Sequence, residues 1–197
     1  YSGHSAADNS ASGKHGVGFL LSPVACGLWQ QQGALESRVS ARVTCLSIAL
    51  QDHHGAMVPF FFQHGYAPQQ NCSEEEAIIF WGEMQSTIDS AGEGATKVLT
   101  MDINASIGIQ RSHEDAPVCG PYGLERVSPA GERLKDWLSQ NGLYAISTHF
   151  RPPAGGHGFG TWKHPRSHNL YQNDHIFVSR SSLKVVQNCR NFSPLVV

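Results

Sequence analysis

The sequence predicts a mixed α/β or α+β domain, and three observations carry that prediction. Helix starts are marked by capping residues at Ser73 and at Ser128–Pro129. Six or seven short runs, apolar or alternating, read as strands. Gly and Pro number 20 and 10, so turns take up much of the remaining chain. The length, 197 residues, suits one domain or at most two small ones. Folding at that length buries roughly 70% of the unfolded surface, enough for a core without staples.

Taken in order, residues 1–14 read as a loop or disordered lead, and 15–197 as a single domain. Gly16–Leu21 (GVGFLL) reads as a strand ended by Ser22–Pro23. From Arg38 to Cys45, Val39, Ala41, Val43 and Cys45 alternate with polar residues, the period of a half-buried strand. Asp52-His53-His54-Gly55 is a turn and Met57–Tyr66 a strand, so the pair predicts a hairpin, with Pro59 placing its second strand at an edge. Ser73 with Glu76 forms a capping box for a helix over about 74–90, with Ala77, Trp81, Met84 and Ile88 on one face. Lys97–Asp102 is a buried strand ending on a carboxylate. Ser128–Pro129 opens a second helix, with Leu134, Trp137 and Leu138 inward and Gly142 closing it. Leu143–Thr148, Phe159–Trp162, Ile176–Val178 and Leu183–Val186 supply four more strands.

Composition excludes several classes. Apolar residues at 40% and charged residues at 15% rule out a disordered chain and a long coiled coil. The formal charge of −2 rules out a uniformly basic nucleic-acid coat but leaves room for a local patch. Eleven His make the surface charge responsive near pH 6 to 7. The five Cys, at 26, 45, 72, 119 and 189, show no metal or disulfide spacing, which favours a reducing, intracellular setting, with the nucleus as one option. No apolar run reaches the length of a membrane span. The start, Tyr-Ser-Gly-His, carries no signal-peptide pattern and reads as a segment of something longer.

Four stretches could carry chemistry. In Leu99-Thr100-Met101-Asp102-Ile103-Asn104-Ala105, the carboxylate at a strand's end and the amide two residues on share a face. That pairs a base or metal ligand with a group able to grip an anionic oxygen; an Asx turn is the plain alternative. Tyr66, in Gly-Tyr-Ala-Pro, offers a phenol donor, or is an ordinary edge aromatic. Trp162, Lys163 and Arg166, in Gly160–Arg166, set an aromatic among cations, suited to stacking and phosphate contact. Asp174 precedes an apolar strand and could orient an imidazole, or cap a turn. His175, its neighbour along the strand, faces the other way.

In that order the four stretches resemble the endonuclease/exonuclease/phosphatase superfamily, the deoxyribonuclease I-like fold. GVGFLLSP at 16–23, VCGPYG at 118–123, the start Gly131-Glu132-Arg133-Leu134 and NGLYAISTHF at 141–150 are similar to one branch of it. That branch holds the endonucleases of non-LTR retrotransposons and the craniofacial-development-protein-2-like sequences, and the resemblance covers roughly residues 15–190. It implies an α/β four-layer sandwich of two packed mixed or antiparallel sheets flanked by helices, incomplete at both ends. It also implies Mg²⁺- or Mn²⁺-dependent phosphodiester hydrolysis on DNA. Asp102 would orient or deprotonate water, Asn104 would hold the scissile phosphate, and both would touch the metal weakly. Tyr66 would bond the phosphate or leaving oxygen, Asp174 would orient a histidine, and the four would meet in one cleft. Trp162, Lys163 and Arg166 would contact the nucleic-acid backbone.

The departures shape the expectation of function. The family's metal-binding Glu and its terminal Ser-Asp-His fall outside residues 1–197. Met101 and Ile103 stand in place of the usual Gly and Phe, and Asn173 in place of an apolar residue. A Mg²⁺-dependent endonuclease of retrotransposon origin, with low or no activity, is therefore expected. The rivals are a non-catalytic binding module and a superfamily phosphatase. A His164–His168 zinc pair is set aside because Pro165 breaks the helix it needs. So are a deaminase-like reading at His113–Cys119, Ser-x-x-Lys at 181–184 and a phosphate loop at Gly155–Gly160.

Overall fold

The computed structural model describes residues 16–34, 36–110, 118–152 and 158–189. The expected lead at 1–14, and parts of the stretches at 113–119 and 155–160, lie outside them. The chain divides into two compact units, residues 1–101 and 102–197.

In the first unit, strands β1 (Glu36–Arg38), β2 (Val43–Gln51), β3 (Met57–Tyr66) and β4 (Thr96–Asp102) lie side by side in that order. The β2–β3 hairpin forms as its turn chemistry dictates. Asp52 Oδ1 accepts from the N–H groups of His54 and Ala56, both at 2.9 Å, and Gly55 takes φ +86°. Val43 pairs with Gly65 and Gln51 with Met57, so a single register runs the length of both strands. β3 meets β4 with His64 beside Thr100 and Gly65 beside Met101. The contacts advance together along both strands, as in a parallel pair, and helix α2 (Glu74–Asp89) is the crossover that such a pair requires.

Pro59 is therefore not on an edge strand. It faces Ala49, whose N–H and C=O bond the Gln32 side chain at 2.7 and 2.8 Å and so point away from β3. The missing Pro N–H costs that pairing nothing. The same Gln32 amide occupies the edge of β2 beyond β1. Residues 16–21 run as irregular backbone, with Phe19 and Leu21 packed on the core, so the strand expected there does not form. Ser22–Pro23 instead begins helix α1 (Pro23–Gln31), with Ser22 Oγ accepting from Ala25 N–H.

The two faces of this sheet are covered differently. Leu46, Ile48, Phe60 and Phe62 pack with Trp29 of α1 and with Phe19 and Leu21. Phe61, Gln63 and Gly65 point the opposite way, toward Met84 of α2, whose carbonyl accepts from Gln63 Nε2 at 3.0 Å. The inward stripe of α2 is Phe80, Met84, Thr87 and Ile88, which corrects the expected centring on Trp81. Ser73 Oγ caps the helix through Glu76 N–H at 3.1 Å, but the Glu76 carboxylate serves Arg42 instead of completing the capping box.

In the second unit, helix α3 (Pro129–Gln140) starts and ends as read, with Ser128 at its N-cap and Gly142 at φ +61° after it. Its Leu134 and Leu138 bury in a core with Leu143, Ile146 and Phe177. Strand β5 (Leu143–Ala145) pairs antiparallel with β8 (Asp174–Ser179). β5 is half the expected length because a 3₁₀ turn takes over at Ile146–His149. There Thr148 turns its hydroxyl back onto the Ala145 carbonyl at 2.6 Å. Strands β6 (Trp162–Lys163) and β7 (Leu170–Tyr171) form a small hairpin. Leu183–Val186 is a turn and not a strand, and Val185 is exposed there.

The tightest approach in this unit lies at the start of α3. A methyl group on Gly131 would sit 1.9 Å from the Ser106 carbonyl oxygen. Ser128 N–H donates to that same oxygen at 2.9 Å, and Ser106 N–H donates to Ser128 Oγ at 3.2 Å. Gly131→Ala would ordinarily add about 1 kcal/mol of helix propensity. Here overpacking dominates, and a net loss of roughly 1–3 kcal/mol is expected in urea unfolding. Unchanged or increased stability would show that the carbonyl yields freely.

His175 sets an acid limit. It is fully buried and stacked on Phe177, with Nε2 donating to the Gln172 carbonyl at 3.0 Å. Burial lowers its pKa from 6.5 to about 4. Between those values the unfolded chain takes up a proton that the folded chain refuses, so stability is full above pH 6.5 and falls as pH drops toward 4. The loss reaches ~3 kcal/mol. Burial pushes His64 and His149 the same way. Urea midpoints should fall between about pH 7 and about pH 5, and less steeply in His175→Gln. Equal slopes in the two proteins would acquit His175.

Candidate functional site

Asp102 is the last residue of β4 and the first of the second unit. Met101, Ile103 and Ala105 are buried, whereas Asp102 and Asn104 are half-buried, the alternation expected of two residues on one face. The strand nonetheless ends at Asp102, and Asn104 adopts φ +46°, a conformation that Asn tolerates better than most residues. Its N–H donates to Asp102 Oδ1 at 3.1 Å. The Asx turn is thus present, and it aims the carboxylate without consuming its second oxygen.

This loop is held from both sides. Ile103 N–H donates to the Asn173 carbonyl at 2.7 Å, and Ser106 is locked to the α3 start through Ser128. The first of these bonds joins the backbone beside Asp102 to the backbone beside Asp174. The two carboxylates accordingly sense each other. Burial raises the Asp102 pKa above the ordinary carboxylate value, the Asn104 N–H opposes the rise, and the Asp174 charge adds to it.

Asp174 is exposed at the first position of β8, with His175 buried behind it, which is the opposed orientation the alternation requires. Thr161 fixes the strand's start. Its hydroxyl accepts from the N–H groups of Asn173 at 2.9 Å and Asp174 at 3.1 Å. Beneath lies a buried polar chain in which Gln172 Nε2 donates to Ser147 Oγ at 3.3 Å and Ser147 Oγ lies 3.5 Å from His175 Nδ1. Asn173, which stands in place of an apolar residue, is only partly buried, and its backbone N–H and C=O are both used.

Thr161 also opens the β6–β7 hairpin, which carries the expected nucleic-acid contacts. Trp162 is 43% exposed, with the rings of His164 and Tyr171 at 5.4 and 5.5 Å. Lys163 and Arg166 are exposed beside it. The Arg126 guanidinium lies over the Tyr171 ring at 5.0 Å. Tyr171 and Arg126 were not apparent in the sequence: Arg126 stands 45 positions from its ring, and no local pattern links them. Thr161 was visible only as the neighbour of Trp162. His164 Nδ1 accepts from the N–H groups of Arg166 and Ser167 and shapes the hairpin turn.

Tyr66 belongs to the first unit, at the end of β3. Its N–H donates to the Arg42 carbonyl at 2.9 Å, its own carbonyl accepts from Arg42 Nη1 at 3.3 Å, and the guanidinium lies 5.4 Å from its ring. The structure therefore brings Asp102, Asn104, Asp174 and the hairpin together within the second unit, and places Tyr66 in the first. Among the described residues, no group of three or more His, Cys, Asp or Glu is arranged to hold a metal ion.

No family model matches the chain. Craniofacial development protein 2 of Bos taurus is 26% identical over 125 residues, 64% of this chain and 20% of that protein. The Tragulus javanicus protein is likewise 26% identical over 125 residues, 21% of its length. The match thus spans about a fifth of these relatives. The catalytic domain of Xenopus laevis APE2 superposes with a TM-score of 0.51 at 14% identity, covering 74% of this chain and 48% of that one. The fold is α/β, with a mixed sheet, a small two-stranded sheet and three α-helices among the described residues, and it is the endonuclease/exonuclease/phosphatase fold. Among the described residues, no helix is long and apolar enough to cross a membrane.

The coupling of the two carboxylates is directly measurable. In Asp174→Asn the Asp102 pKa, followed by carboxyl carbon NMR, should move down but stay above the ordinary value, because burial remains. Asp102→Asn should raise the melting temperature, since a neutral isostere escapes the cost of an ionised group in that position. An Asp102 titration indifferent to Asp174 would show that the charges are screened apart.

Proposed function

We propose that this chain is a phosphodiester-hydrolase-like module of retrotransposon origin that engages DNA through the β6–β7 hairpin and presents Asp102, Asn104 and Asp174 to a backbone phosphate. The observation that carries this reading is the double use of Thr161. Its hydroxyl holds the backbone of Asn173 and Asp174, and its N–H donates to the Tyr171 carbonyl at 2.8 Å, where the hairpin that bears Trp162, Lys163 and Arg166 begins. A strand of nucleic acid stacked on the aromatic cluster would have its phosphates delivered toward the carboxylates.

The donor set is all oxygen, two mutually repelling carboxylates and an amide. That suits Mg²⁺ or Mn²⁺, which bind through one or two carboxylates and keep several waters. When bound, such an ion neutralises charge on the phosphate. Asp102, with its raised pKa, is the base that takes a proton from the attacking water. The Asn104 amide donates to a phosphate oxygen. Two carboxylates and an amide supply few direct ligands, so in this reading metal binding is weak and turnover low.

Two measurements test the reading. The salt dependence of duplex binding should lose about two units of log–log slope in the Lys163→Ala, Arg166→Ala double variant. An unchanged slope would remove the hairpin from the interface. Plasmid nicking in millimolar Mg²⁺ should scarcely exceed that of Asp102→Ala. Robust nicking abolished in Asp102→Ala would make the chain a competent nuclease. Binding without nicking, unaltered in Asp102→Ala, would favour a binding module on a nuclease fold.

A further inference from the structure

The first unit carries a second surface, opposite in character to the hairpin. A groove of about 380 Å³ runs between the turn at Ser40–Arg42 and the first half of α2. Its floor is apolar: Phe80 is nearly sealed at 1% exposure, and Ile79 forms a side at 54%. Ile78, next along the helix, is 65% exposed. Two adjacent β-branched residues on the open side of a helix add neither packing nor helix propensity. An apolar step leading into an apolar groove marks a contact surface.

The rim defines the occupant. Glu75, Glu76 and Glu83 line the groove against one cation, Arg42, a net charge of −2. Arg42 is committed to Glu76 at 2.7 Å and lies over the Tyr66 ring, and Glu83 accepts from Ser40 Oγ at 2.8 Å. These bonds hold the two walls without neutralising the rim. Phosphate backbones and anionic membrane surfaces are repelled by such a rim, so neither belongs here. The volume suits two or three side chains, and the open helix face beyond it suits an elongated ligand.

We infer that this groove docks a basic amphipathic peptide segment of a protein partner, its apolar side chains over Phe80 and Ile79 and its Lys or Arg side chains on Glu75 and Glu83. Apolar anchors from one helical face and cations on either side would match both the floor and the rim. The site is independent of the DNA reading. The chain would thus hold nucleic acid on the second unit and a protein on the first.

The probe is a labelled Leu/Lys amphipathic helical peptide, followed by fluorescence anisotropy and by the Ile methyl NMR signals of the intact chain. Binding is expected to shift the methyls of Ile78 and Ile79 and to weaken at high salt. It should weaken about tenfold in Ile79→Ser and about tenfold in Glu75→Lys. Both positions are exposed, and unchanged melting temperatures would confirm that the variants fold. The Leu/Glu version of the peptide should not bind. Several results would overturn the inference: unmoved Ile78 and Ile79 methyls, equal binding of the Leu/Glu peptide, or displacement of the peptide by duplex DNA. Concentration-dependent self-association of the free chain that Ile79→Ser abolishes would also overturn it, by assigning the surface to a second copy.

Discussion

The candidate site depends on a contact with no room to spare. A carbonyl oxygen, that of Ser106, sits where the side chain of residue 131 would begin, and Ser128 bonds to both ends of that peptide segment. Only glycine lets a helix start come so near a loop. The loop is the one that leaves Asp102 and Asn104, so their direction is set by backbone packing several residues away. Asp174 is governed in the same manner from the other side, by one threonine hydroxyl that receives two N–H groups. Neither device involves a carboxylate directly, yet each holds backbone near one.

What these devices hold is electrostatically unfavourable. A half-buried carboxylate is placed within the field of another acid, and the single N–H that eases its charge comes from its own turn. A fold selected only for stability would separate the two or neutralise one. Holding them together costs the fold stability, a cost that the proposed chemistry would account for.

The sequence disclosed those parts that local chemistry decides. Ser73 and Ser128–Pro129 announced their helices, Asp52–Gly55 its turn, and the period of β8 the opposed directions of Asp174 and His175. Ser22–Pro23 carried the same helix signal as Ser128–Pro129 but stood behind an apolar run that looked like a strand; that run instead packs Phe19 and Leu21 against the cluster around Trp29. Phe80 was overlooked for Trp81 because a helical stripe can be drawn through either, and packing against β2 and β3 chooses between them. The site followed the same division. Asp102, Asn104 and Asp174 could be named from motifs. The Gly131 approach, the Thr161 hydroxyl and the pairing of Arg126 with Tyr171 join residues far apart in sequence.

Gln32 has one more consequence. Its amide offers Ala49 a donor and an acceptor at the spacing of a neighbouring backbone, so it stands in for a strand that is not there. An exposed strand margin is the usual template on which chains recruit one another into fibrils and precipitates. At Ala49 the template is already filled, by one side chain in place of an extra segment. Loss of that side chain would leave the Ala49 N–H and C=O open at the strand's margin, the kind of opening through which chains associate.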